Sequence, residues 1–233
     1  MGIGVLRGSI NVLTQATRKL AATPWYLAGG VAAANCVGAW QAKGAASLAA
    51  SRVNLANPGT YDLADGVAPS WASATGWTFD GTSQTLKTNI VPSVRWSLIG
   101  RFSGGSITGT RRYQMVAGAG GTGSYRFYIG STCGDFTNRH SCGLSGGGGY
   151  INNPPALASG VLAIAGTNYF WDGSREAEYT NSSGSPNEIR IGSDNSSGDI
   201  AGSFYMGDII AVAIYNVDIS SQVASITTAM NAI

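Results

Sequence analysis

The stretch IRIGSDNSSGDIAGSFYMGDIIAVAIYNVDISSQVASI, residues 189–226, decides the fold. Its centre, Asp208–Tyr215, is a near-continuous apolar run rich in β-branched residues, the pattern of a central strand covered on both faces. Ahead of it, SDNSSGD is turn chemistry, because Asp, Asn, Ser and Gly bond their own backbone or tolerate left-handed φ. Behind it, Val223, Ile226, Met230 and Ile233 recur at helical spacing, opened by Ser220 or Asp218 as a cap. A central strand needs partners on both edges, so the rest of the chain is read for strands.

They occur in quick succession. CVGAWQ (36–41) reads as a strand, followed by a long loop through NLANPGTYDLADGVAPSW. WTFDGTSQTLKT (77–88) reads as two short strands about an Asp80-Gly81 turn. Arg95–Phe102 alternates, with Trp96, Leu98 and Phe102 toward a core and Arg95, Ser97 and Arg101 away from it. Tyr113, Met115 and Ala117, then Tyr125, Phe127 and Ile129, continue the alternation. VLAIA (161–165) leads into NYFWDGSREAEYT, a hairpin with Asp172-Gly173 at its tip, and NEIRIG (187–192) precedes the central strand.

Composition agrees with an all-β chain. Charged residues are 11%, well below the usual quarter, with three Glu and three Lys, whereas Gly numbers 34. Helical surfaces are normally filled with Glu, Lys and Arg; a neutral surface with many Gly turns suits strands and loops. The net charge of +2 comes from scattered Arg with no basic stripe, which argues against nucleic acid, and no apolar run spans a bilayer. Cys133 and Cys142 are close enough in sequence to close a small ring, Cys36 reads as buried, and three reduced thiols are the plainer account.

Residues 1–35 form a separate compositional unit. Ile10, Leu13, Thr17 and Leu20 predict a short helix at about 10–21 after a Ser9 cap, and Pro24 stops it. The segment after Arg18-Lys19 has some flavour of a signal peptide, but Pro24 and Gly29-Gly30 interrupt it, so it is read as part of the mature protein. Two accounts of the arm stay open: it packs on its own domain, or its apolar residues dock on a neighbouring subunit and hold a homo-oligomer together.

Taken in order, CVGAW (36–40), WTFDGTSQTLKT (77–88), RWSLIGRF (95–102), YFWDGSREAEY (169–179) and the 189–226 stretch resemble the concanavalin A/laminin G-like superfamily. The resemblance covers residues 36–233 and leaves 1–35 outside as an arm with a short helix. It implies an all-β, antiparallel two-sheet jelly-roll sandwich. KGAASLAASRVNLANPGTYD (43–62) is also similar to loops of phage and prophage structural proteins.

The superfamily holds lectins, glucanases, adhesion modules and virion proteins, so function rests on a site. Its glucanases carry E-x-D-x-E on one strand, placing paired carboxylates on a shared face for glycoside hydrolysis. No such motif occurs here; Glu176 and Glu178 are the nearest pair and read as the solvated face of a hairpin. His140, the only histidine, sits among Cys and Gly with no nucleophile elbow, and its spacing to Cys133 and Cys142 matches no zinc pattern. GAGGTG (118–123) is followed by a strand instead of a helix, so it reads as a hairpin loop, as does Gly146–Gly149. Asp194, Asn195 and Asp199 supply hard oxygens for a calcium ion, or else make a polar turn. No other cofactor is implied. Trp71 and Tyr150 are loop aromatics for stacking on a sugar, or else buried rings.

The expectation is therefore a non-enzymatic structural or interaction module. Its first form is a phage virion component, such as a capsid-decoration, tail or fibre subunit, whose expected partners are other virion or surface-assembly subunits, with glycans as a further candidate. A secreted carbohydrate-binding or adhesion module at the cell surface is the alternative, and a glycoside hydrolase or lyase comes third.

Overall fold

A strand whose residues are apolar on both faces must have something packed on each, and the computed structural model places Met206–Tyr215 accordingly. The structure describes residues 22–105, 114–120, 127–132, 139–144, 147–152, 159–179, 184–193, 195 and 203–233. In chain order the first half contains β1 (Cys36–Gln41), α1 (Leu48–Ser51), β2 (Ala64–Asp65), β3 (Ser70–Ala72), β4 (Gly76–Asp80) and β5 (Leu86–Lys87). Next come β6 (Ser97–Ser103), β7 (Gln114–Ala119), β8 (Phe127–Thr132), β9 (Arg139–Leu144) and β10 (Gly147–Asn152). The chain closes with β11 (Gly160–Ala165), β12 (Asn168–Trp171), β13 (Ser174–Glu178), β14 (Arg190–Ile191), β15 (Met206–Tyr215) and α2 (Val223–Asn231).

These strands form two antiparallel sheets packed as a sandwich, the fold class read from the sequence. The first runs β13-β12-β11-β6-β15-β4-β3, with β1 also on β15; the second runs β10-β9-β8-β7-β14-β5-β2. On one edge β15 pairs with β6 along its length. On the other it is shared: Met206–Ile209 pair with β4, and Ala211–Tyr215 pair with β1. A register shift between Ile209 and Ala211 falls where one partner gives way to the next.

Between the sheets lies the main core. Trp40, Trp77, Leu98, Phe102, Leu162, Ile164, Ile209, Val212 and Ile214 from the first sheet meet Leu86, Ala117, Phe127, Ile129 and Ile191 from the second. At Gly100 an added Cβ would sit 3.1 Å from both Ile129 Cδ1 and Val116 Cγ1, so the small residue lets the sheets close. The outer face of the first sheet is also dry. Ala39, Ile99, Ala163, Ala165, Ala211 and Ala213 lie there under Val223, Ile226 and Met230 of α2. Small residues on the sheet let the helix approach.

That third layer explains where strict alternation misleads. Ser97 is buried and Arg101 half-buried, its Nη1 donating to the Met230 carbonyl at 2.6 Å, so the polar face of β6 lies under α2. Trp96 precedes the strand and is half-buried against the core instead of inside it. Gln222 takes the N-cap position of α2, while Asp218 turns the chain ahead of it by accepting the Ser220 N–H at 2.8 Å.

Two turns contrast. Asp172 and Gly173 hold φ of 46° and 85°, a type I′ hairpin between β12 and β13 as the sequence predicts. Asp80-Gly81 is not a hairpin, because β4 and β5 belong to different sheets and the chain crosses between them there. Asp80 Oδ1 organises that corner by accepting the N–H groups of Thr82, Ser83 and Gln84 at 2.7, 3.1 and 3.4 Å. The glycines at 147–149 lie in β10 paired with β9, so the strand starts inside the run read as a loop.

The predicted helix at 10–21 lies outside the described residues. From Ala22 on, the arm lies on its own sandwich. Trp25–Leu27 form a 3₁₀ turn packed with α2, Tyr215 Oη donates to the Tyr26 carbonyl at 2.8 Å, and Tyr26 Oη donates to the Leu55 carbonyl at 2.9 Å.

Two predictions follow from this packing. Ile226→Ala opens a cavity in a fully buried layer and is expected to cost about 2–5 kcal/mol in urea unfolding, with half-buried Trp96→Ala costing less. Burial alone would raise the Asp80 carboxyl, but hydrogen bonds from Thr82, Ser83 and Gln84 outweigh it and hold the pKa at about 2. A folded pKa below the unfolded one gives stability that is complete above about pH 4 and lost as pH falls toward 2. Asp80→Asn should therefore flatten the decline of the urea midpoint across that window; an unchanged slope would show that Asp80 does not carry it.

Candidate functional site

In the segment NLANPGTYDL (54–63), Asn54 and Asp62 are polar residues that bond backbone, and Pro58-Gly59 forces a turn between them. Asn54 is fully buried and uses its whole amide. Its Oδ1 accepts from the Ala39 and Ala56 N–H groups at 3.0 and 3.1 Å, and its Nδ2 donates to the Val37 and Thr60 carbonyls at 3.0 and 2.8 Å. Two of those partners lie on β1, so the loop is clamped to a strand of the main sheet. From the far end, Asp62 Oδ1 accepts the Asn54 and Gly59 N–H groups at 2.8 and 3.2 Å. Arg52 pairs with Asp65 at 2.7 Å just outside the loop.

This bracing holds Tyr61 at φ +61°, a left-handed conformation that costs a non-glycine residue about 1–3 kcal/mol and persists where the surroundings dictate it. The residue remains 42% exposed. Beside it opens a pocket of about 430 Å³, lined by Ala33, Ala34, Cys36 and Val37 on one wall and Ala56, Asn57 and Tyr61 on the other. Among the described residues, none that lines it carries a formal charge. Burial pushes the Cys36 thiol up to about 12, outweighing the hydrogen bond to Gly38, so it stays a neutral thiol. An exposed aromatic, a side-chain amide and small apolar walls form a surface that can receive a compact ligand with both apolar and polar faces.

A second pocket, about 510 Å³, lies between Val91–Val94 and Gly184–Pro186. It is apolar, with Val91 and Val94 both more than half exposed. Its Ser185 hydroxyl is already engaged, donating to the Gly120 carbonyl at 3.1 Å.

The residues singled out from the sequence lie elsewhere. Asp194 and Asp199 are outside the described residues. Asn195 is buried, with its carbonyl accepting from Asn187 Nδ2 at 2.7 Å. Among the described residues no cluster of three His, Cys, Asp or Glu side chains comes together. Glu176 and Glu178 are exposed, and Glu178 pairs with Arg175 at 3.2 Å. Trp71 is half-buried with Nε1 donating to the Ala42 carbonyl at 2.8 Å. Cys142 and His140 lie on β9, whose backbone alone is described, and Cys133 is outside the described residues; Tyr150 falls on β10 in the same way. Tyr61 and Asn57 were not read as site residues. The signal available was Asn54 and Asp62 bracketing a Pro-Gly turn.

No family profile matches the chain, and no curated protein is detectably similar in sequence. Solved structures do match in shape. A Trypanosoma rangeli sialidase mutant displaying trans-sialidase activity aligns with a TM-score of 0.61 at 15% identity, over 86% of this chain and 34% of its own. The T. rangeli sialidase in complex with 2,3-difluorosialic acid aligns at 0.60 and 13%, over 85% and 33%. Domain 4 of AbnA, a GH43 extracellular arabinanase from Geobacillus stearothermophilus in complex with arabinotriose, aligns at 0.51 and 14%, over 83% of this chain and 98% of its own. The chain thus spans about a third of the length of the sialidases it matches. At these identities the likeness establishes the β-sandwich fold. It also corrects the virion expectation: the matching structures are carbohydrate-active proteins and a domain of one, and they give a particle subunit no support.

Asn54→Ala would orphan buried groups worth about 1–3 kcal/mol each, so a loss above about 3 kcal/mol is expected, with faster amide exchange at 54–63. Retained stability and protection would show that the clamp is not what holds the loop.

Proposed function

We propose that the chain is a carbohydrate-binding β-sandwich module without hydrolytic chemistry of its own, related to the concanavalin A/laminin G-like superfamily. The observation that carries this reading is the braced loop that holds exposed Tyr61 and Asn57 over an uncharged pocket. A sugar ring has a C–H face that packs on an aromatic and a rim of hydroxyls that bonds amides, so such a surface suits it. Preorganisation by Asn54 and Asp62 spares the loop ordering cost on binding. The fold likeness to an arabinanase domain solved with arabinotriose, matched over nearly its full length, supports the same class. The exposed setting of Glu176 and Glu178, with Glu178 in an ion pair, favours binding over hydrolysis.

The test is retention on immobilised neutral polysaccharides, arabinan among them, with assay of released reducing ends. Retention without release is expected. Release abolished by Glu176→Gln or Glu178→Gln would make the hairpin an active site, and failure to bind any glycan would overturn the reading.

A further inference from the structure

We infer that the pocket between Ala33–Val37 and the 54–63 loop selects a neutral sugar unit and rejects carboxylate-bearing sugars. The inference rests on the binding-module reading and specifies its ligand. The described residues that line the pocket, Ala33, Ala34, Cys36, Val37, Ala56, Asn57 and Tyr61, are all uncharged. An anionic sugar is normally held by Arg, Lys or a fan of free N–H groups, because a desolvated carboxylate needs charge-assisted partners. Three candidates beside the loop are committed elsewhere. Arg52, the cation nearest the loop in sequence, is paired with Asp65 at 2.7 Å, and the Asn54 and Gly59 N–H groups already donate to Asp62. The single charged side chain within 54–63 is Asp62 itself, so the loop's own formal charge repels a carboxylate. Cys36 adds no cation and no thiolate, since its thiol lies buried against the Gly38 carbonyl.

A neutral sugar makes no such demand. Its apolar face lies on the Tyr61 ring and the alanine walls, while its hydroxyls exchange hydrogen bonds with the Asn57 amide. The pocket volume of about 430 Å³ falls in the range of about 300–1,000 Å³ typical of small-ligand sites. Tyr61 is held at φ +61°, which glycine adopts freely. Tyr61→Gly therefore removes the platform while relieving strain, and it separates recognition from folding.

The experiment is an amide NMR titration of the full chain with arabinotriose, xylotriose and maltotriose as neutral probes and with 3′-sialyllactose and trigalacturonate as anionic ones. At least one neutral probe is expected to shift the amides of 33–37 and 56–61, with the anionic probes inert at equal concentration. Tyr61→Gly should weaken that binding about tenfold or more with unchanged fold, and Tyr61→Phe should keep it. Anionic probes binding at these amides would overturn the selectivity. Neutral probes that shift other regions and ignore Tyr61→Gly would remove the site while leaving the module reading intact. Binding by no probe, from a chain that polysaccharide does not retain either, would end both.

Discussion

Everything in the sandwich hangs on β15. It is bonded along one edge to β6 and along the other first to β4 and then to β1, so each of its halves closes a different part of the sheet. Ile209, Val212 and Ile214 face the second sheet, and Ala211 and Ala213 face α2. Neither face tolerates a polar residue, because an unpaired buried polar group costs more than a single contact returns. On the edge away from β6 the partner changes from β4 to β1 after Ile209. That places β1 where Asn54 can reach Ala39 and Val37, and through Asn54 the central strand fixes the loop that carries Tyr61. The candidate site is thus an extension of the sheet, two hydrogen-bonded steps from its centre.

The elements that were legible in the sequence are those whose pattern has one physical cause. The 208–215 run announced a doubly covered strand, and Asp172-Gly173 announced a type I′ hairpin, because few other residues accept its φ values. Asp80-Gly81 carries the same dipeptide and fails. Its flanking strands were too short to show that they join different sheets, and Asp80 serves there as an acceptor for the corner. The polar side of β6 read as solvent-facing because alternation assumes one wet face; α2, which follows β15 in the chain, covers it. The site was the least legible part. Tyr61 is one aromatic among many until its exposure and φ are known, and Asn54 resembles any loop asparagine until its four hydrogen bonds are seen.

Function follows the same division. The scaffold is a shape shared with sialidases and with an arabinanase domain at 13–15% identity, and at that distance shape transfers no chemistry. In this chain a loop is strained and braced into one conformation beside a pocket whose described lining is uncharged. Strain of this kind persists when the surrounding bonds over-determine it, and here Asn54 and Asp62 supply those bonds. A rigid aromatic with little conformational entropy to lose is a physical basis for weak but selective recognition of a flexible, uncharged ligand.

The most direct measurement is a crystal structure of the chain with a bound neutral oligosaccharide beside one of the free protein. The account predicts a sugar ring lying on the Tyr61 face within hydrogen-bond reach of Asn57, with the 54–63 backbone moved by less than about 1 Å. A sugar seated elsewhere on the sandwich, or a loop that rebuilds itself to bind, would contradict it.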